Sequence, residues 1–161
     1  MAVTCGGMAT ALHQHPFTTC IVGIGNPMRS DDGVGAFICE LMNAKQLPGV
    51  HTITTQQLDT AMIEELTGFD EVIFVDAAVN TVKISFTPIT ETSTVTQPLS
   101  HHINAVLFAK LAQQLFSATT EFYICAIPAS NFELGKKISV KAKSNATKAA
   151  ALLFARITSN H

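Results

Sequence analysis

Residues 18–35 read TTCIVGIGNPMRSDDGVG, and the fold turns on how this stretch is parsed. Cys20, Ile21 and Val22 have the apolar character of a short buried strand. Gly23 and Gly25 let the backbone turn without a Cβ clash, and Asn26-Pro27 stops the strand. Beyond them Val34, Phe37, Ile38, Leu41 and Met42 recur at the i, i+3, i+4, i+7 spacing of a core-facing helix, with Ser30 or Asp31 as its expected N-cap. Two adjacent carboxylates, Asp31 and Asp32, therefore sit where strand becomes helix. Ligands of open α/β sheets bind beyond the carboxyl ends of the strands, so Asp32 is a candidate for chemistry. The bland alternative is that both carboxylates cap the helix and complement its dipole, and one of the two is expected to do only that.

The chain of 161 residues, nearly half of them hydrophobic, suits one domain with a substantial core. Residues 1–17 show no periodicity and read as a loosely held N-terminal extension, which leaves 18–161 as the folded domain. A formal net charge of -2, with no basic cluster interleaved with aromatics, argues against a nucleic-acid partner. No apolar run approaches the ~20 residues that span a membrane, and the N-terminus lacks the basic and apolar regions of a signal peptide. Three of the four cysteines fall in apolar segments, as buried free thiols do, so a reducing cytoplasm is the expected compartment. A monomer is the expected state. Cys5, His13, His15 and Cys20 match no standard zinc spacing.

Outward from the opening stretch, the helix is expected over 32–45, ended by Leu47-Pro48-Gly49. Residues 50–56 (VHTITTQ) alternate as a strand near a sheet edge does, and Asp59 can cap a short helix that Gly68 terminates. Residues 71–78 (EVIFVDAA) form the continuous apolar run of a strand covered on both faces, ending at Asp76. There Asp76 either faces the same crevice as Asp32 or serves a turn, and the pattern leaves both readings open. Residues 82–89 (VKISFTPI) follow so closely that an antiparallel hairpin with the preceding strand is expected.

After a polar, Thr-rich loop, Ser100-His101-His102 precedes a helical stripe of Ile103, Val106, Leu107, Leu111 and Leu115. The histidines then stand at a helix N-terminus, where a neutral imidazole is a ligand or base and the alternative is an idle surface residue. Residues 121–127 (EFYICAI) are the last strand, followed by a loop and a final helix capped by Ser139, with Leu152, Leu153, Phe154 and Ile157 to bury. Strands alternating with helices predict a single three-layer α/β domain, its mostly parallel sheet of about five strands carrying one antiparallel hairpin and flanked by helices.

Element ends thus bring together Asp32, Asp76 and His101 or His102. Two carboxylates and an imidazole suit nickel, zinc, manganese or iron(II), with positions left open for water or substrate. Other uses of the glycines fit poorly. A dinucleotide fingerprint would place its third glycine at Met28, and the Gly-Lys-Ser/Thr of a phosphate-binding loop is absent. A serine-hydrolase elbow is missing as well.

At these residues the sequence resembles the hydrogenase maturation endopeptidases, which process the large subunit of nickel-iron hydrogenases. The resemblance covers residues 21–157 and rests on GIGNPMRSDDGVG (23–35), VIFVDA (72–77), SHHIN (100–104) and IPASNFELGKKIS (127–139), the first and last being specific in combination. It implies a protease whose metal-recognising site is Asp32, Asp76 and one histidine, His101 by its match to the family's serine and asparagine spacing and His102 otherwise. It further implies that the metal is nickel carried by the substrate precursor, sensed before a C-terminal extension is removed, with Asp32 and Asp76 as the candidate catalytic residues. Two features depart from the family pattern: the turn after VIFVDA is short, and the N-terminal extension is long. Two alternatives stand beside this reading. One is a peptidyl-tRNA hydrolase, whose Gly-x-Gly-Asn-Pro opening is similar although its Thr-Arg-His-Asn continuation is missing; the other is a maturation scaffold that binds metal without cutting.

Overall fold

The computed structural model describes residues 15–94 and 104–160. Five strands, β1 (Thr19–Ile24), β2 (Val50–Thr55), β3 (Glu71–Ala78), β4 (Ser85–Pro88) and β5 (Glu121–Pro128), form one sheet in the order β2-β1-β3-β5-β4. All neighbours are parallel except β4, which runs antiparallel to β5. Four helices flank the sheet: α1 (Val34–Asn43), α2 (Ile63–Leu66), α3 (Ala105–Phe116) and α4 (Val140–Asn160).

The two-residue period of the strands builds a core on each face. Ile21, Ile73, Val75, Cys125 and Ile127 point to the face that α1 and α4 cover, while Cys20, Val22, Val72, Phe74 and Phe122 point to the face of α2 and α3. Ala142, Ala146, Ala149 and Ala150 give α4 a side of small residues that docks closely, with Leu153 and Ile157 completing the contact. On the other face Phe108 of α3 meets Phe74 edge-on, ring centroids 5.5 Å apart, and Phe74 stacks on Phe122. The β2 edge position and the central place of β3 match the alternation of the one and the continuous apolar run of the other.

Several expectations need correction. The antiparallel strand does not form a hairpin with β3, because β5 lies between them, paired with β3 over Glu71–Ala78. Both β3 and β5 carry apolar residues for two covered faces, whereas β4, mostly exposed and ending in Pro88, suits the edge. Neither Ser30 nor Asp31 caps α1, whose N-cap is Gly33 without a side-chain bond, because a 3-10 turn at Ser30–Gly33 intervenes. The third helix starts at Ala105 under an Asn104 cap and buries Phe108, Ala109 and Ala112, while Leu115 is 67% exposed. Phe108 meets the aromatic surface of Phe74 and Phe122, with Val106 and Leu111 of the expected stripe packed partly buried beside it. Leu152 is exposed as well, while its neighbour Leu153 is buried.

Close approach of α1 to the strands sets the position of everything that follows. A Cβ at Gly35 would lie 2.8 Å from the Ile24 amide nitrogen and 2.9 Å from the Val75 carbonyl oxygen, and one at Gly23 would strike the Gly35 carbonyl. Glycine at both positions lets the start of the helix sit directly against the carboxyl ends of β1 and β3.

Candidate functional site

The sheet reverses its winding between β1 and β3. From β1 the chain crosses through α1 to β2 on one side; from β3 it moves to β4 and β5 on the other. The crevice beyond the carboxyl ends of these two strands is therefore a topological switch point, where α/β folds place their ligands. Asp32 comes from the 3-10 turn that follows β1. Asp76 lies in β3 immediately after the last residue pair with β1, Gly23 with Val75, so it stands where the two strands part.

The glycine turn shapes a seat for Asp32. Gly25 has φ 133°, and a side chain there would strike the Asp32 carbonyl oxygen. Without it, the Asn26 amide donates to Asp32 Oδ2 at 2.8 Å, and the Asn26 side chain accepts from the Met28 amide at 2.9 Å to hold the turn. One carboxylate oxygen is fixed by the backbone, and Asp32 remains partly exposed.

Asp76 feels its surroundings strongly. Burial pushes its carboxyl up to about 6, the negative charge of Asp32 adds to the shift, and the Ala77 amide opposes it. Two carboxylates close enough to couple are a site that gains by taking up a proton or a cation.

Asp31 has a different task. Its side chain is fully buried and accepts from the Ser130 and Asn131 amides at 3.1 and 3.0 Å, and from the Ser139 amide and hydroxyl at 2.7 and 3.0 Å. Burial alone would raise its pKa, but the three backbone donors and the hydroxyl outweigh that and hold it below the ordinary carboxylate value. Around it the turn and the 128–139 loop are stitched together: the Ser30 amide donates to Gly135, the Asp31 amide to Asn131, the Gly135 amide to Met28 and the Ser30 hydroxyl to Glu133. Ser139 also caps α4, donating from its hydroxyl to Asp31 while accepting from the Ala142 amide. The two motifs that were specific in combination are thus one structural unit.

Of the expected site residues, Asp32 and Asp76 come together. His101 and His102, with Cys5 and His13, lie outside the described residues. Cys20 is buried in β1, which leaves the N-terminal metal grouping without a ligand there. Among the described residues no three His, Cys, Asp or Glu side chains form a cluster able to hold a metal ion. The chain order brings α3 back antiparallel to the strands, so its Asn104 cap lies toward the same carboxyl edge of the sheet. Sequence reasoning missed the Asp31 hub and its partners Ser130, Asn131 and Ser139; the only signal was that both motifs are rich in turn and cap residues.

No protein-family model matches the chain, and no curated protein sequence matches it. Solved structures do. The NiFe hydrogenase maturation protease HycI from Thermococcus kodakarensis KOD1 superposes with a TM-score of 0.68 at 22% identity, covering 84% of this chain and 89% of that one. The NiFe hydrogenase maturation protease HybD from Thermococcus kodakarensis gives 0.65 at 19% identity over 85% and 97%. The hydrogenase maturating endopeptidase HybD from E. coli gives 0.70 at 15% identity over 89% and 94%. The chain has the fold of these maturation proteases.

Two predictions separate the carboxylates. Because the folded-state pKa of Asp31 is depressed, its contribution is present above the unfolded value near 4 and is lost as pH falls through the folded one. Asp31→Asn should cost about 3 kcal/mol at pH 7 in urea denaturation, the gap closing in acid. For Asp76 the sign is opposite: its raised pKa makes wild-type stability fall as pH rises from about 4 to about 6. Asp76→Asn should therefore be more stable than wild type at pH 8, by about 3 kcal/mol, and equal to it at pH 3. A destabilised Asp76→Asn at pH 8 would contradict this assignment.

Proposed function

We infer that the chain is an endopeptidase that removes the C-terminal extension of a nickel-iron hydrogenase large-subunit precursor after sensing the nickel already inserted in it. The observation that carries this reading is the pairing of Asp32 and Asp76 across the switch point of a fold shared with hydrogenase maturation proteases. A pair of carboxylates raised in energy by mutual repulsion binds a divalent cation as readily as a proton, and their oxygen donors suit nickel. His101 is the proposed third ligand and His102 the alternative. Nickel belongs to the substrate, so the protein's part is to offer a half-built coordination shell that only a loaded precursor completes.

Recognition by the cargo also positions the scissile peptide. Ligation holds the precursor's C-terminal region at the carboxyl edge of the sheet and turns an encounter into an intramolecular reaction. Each carboxylate has two oxygens, and one not engaged by the metal can take the proton of the attacking water and return it to the departing amine. Asp32 Oδ2 is already fixed by the Asn26 amide, so the Asp32 seat is built for position, while the Asp76 carboxyl, pushed up to about 6, is readily protonated.

Incubation of the protein with nickel-loaded precursor should yield a C-terminally truncated product by mass spectrometry, and nickel-free precursor should stay intact. Asp32→Asn and Asp76→Asn should each slow processing by about 100-fold or more. Binding without truncation would favour the scaffold, and unaltered processing by Asp32→Asn would remove that residue from the mechanism.

A further inference from the structure

Residues 136–148 (KKISVKAKSNATK) contain five lysines and no acid, whereas the remainder of the chain carries five basic residues against twelve acidic ones. Positive charge is therefore concentrated in one place on a chain that is otherwise acidic. The first turn of α4 has no acidic residue, so Lys141 and Lys143 add to the positive end of the helix dipole instead of balancing it. Among the described residues none of the five lysines forms an ion pair with a carboxylate.

Lys136, Lys137, Lys143 and Lys148 line an open groove of about 810 Å³ between α1 and the start of α4. Its floor is apolar, made by Phe37 and Ile138, and Lys143 Nζ stands 5.6 Å from the Phe37 ring centre. Val140, also lining it, is 89% exposed, and Leu134 in the adjoining loop is 88% exposed. The groove adjoins the Asp32 turn, since a Cβ at Gly33 would meet Ile138 at 3.9 Å.

Four unpaired cations around an apolar floor are costly to keep together unless an anionic partner neutralises them. A concave strip beside a peptide-cutting crevice fits a chain segment better than a flat bilayer. We propose that this groove seats an acidic segment of the protein substrate, an apolar side chain of that segment resting on Phe37 and Ile138. The proposal rests on the protease reading above and supplies the contact that holds the precursor outside the metal site. The lysines steer the encounter, so the effect falls on affinity and is screened by salt.

The test is the quadruple variant Lys136→Glu, Lys137→Glu, Lys143→Glu and Lys148→Glu, with Lys45→Glu and Lys110→Glu as the control for charge alone. At low salt the quadruple variant should bind labelled nickel-loaded precursor at least about tenfold more weakly and show KM raised in step, with kcat changed much less. Wild-type affinity should fall with added salt while that of the variant stays flat. Thermal stability should be equal or higher, since a glutamate near the start of α4 suits the dipole, so lost affinity does not report unfolding. Unchanged affinity in the quadruple variant, or an equal loss in the control, would overturn the proposal. So would a variant that keeps its precursor affinity but loses binding to phosphatidylserine vesicles, which would give the groove to a membrane. Wild type that binds precursor in a groove-dependent way without cutting it would support the groove and refute the protease; wild type that does not bind precursor would refute both.

Discussion

The arrangement depends on one buried charge. The Asp31 carboxylate accepts bonds from Ser130, Asn131 and Ser139, and so ties the turn after β1 to the loop after β5 and to the first residues of α4. An ionised group without solvent is tolerated only when its oxygens are saturated with donors, and here they are. Without that tie the 128–139 loop would lose its anchor, and the Asp32 turn would lose the wall it leans on. Close packing at Gly23 and Gly35 does the same from below, holding α1 against the strands that end at the crevice.

Neighbouring residues of one type thereby acquire separate roles from their environments. Asp31 is held ionised by donors and carries structure; Asp76 is pushed toward its neutral form by burial and by Asp32, and carries chemistry only in the proposed mechanism. Asp32 stands between them, its backbone continuous with the hub and its side chain coupled to Asp76. The repulsion between Asp32 and Asp76 costs folding energy, and in the proposed mechanism a bound cation would relieve it.

Much of this was legible from local pattern. The run Val72–Val75 specified β3 because a strand covered on both faces has no polar alternation, and the same argument put β2 at an edge. The placement of Asp32 and Asp76 at one crevice followed from element ends alone, which is as far as a switch-point argument reaches. The sheet order did not follow: a short connection suggested a hairpin, while the pairing of β3 with β5 is decided by residues some fifty positions later in the chain. Nor did the division of labour between Asp31 and Asp32. The partners of Asp31 lie 99, 100 and 108 residues away, so nothing in the local sequence distinguishes it from a helix cap. On α3 the stripe was partly right, since Val106 and Leu111 pack against the core, but counting leucines missed Phe108, which meets the aromatic surface of the sheet, and put exposed Leu115 in its place.

In the proposed mechanism a nickel ion presented by the precursor is held by both carboxylates at once. Anomalous diffraction at the nickel edge, from crystals of the protein with nickel-loaded precursor, tests it directly. A single peak should lie about 2.0 to 2.2 Å from oxygens of Asp32 and Asp76 and from one nitrogen of His101. Nickel bound elsewhere, or a complex in which the two carboxylates face away from it, would contradict the account.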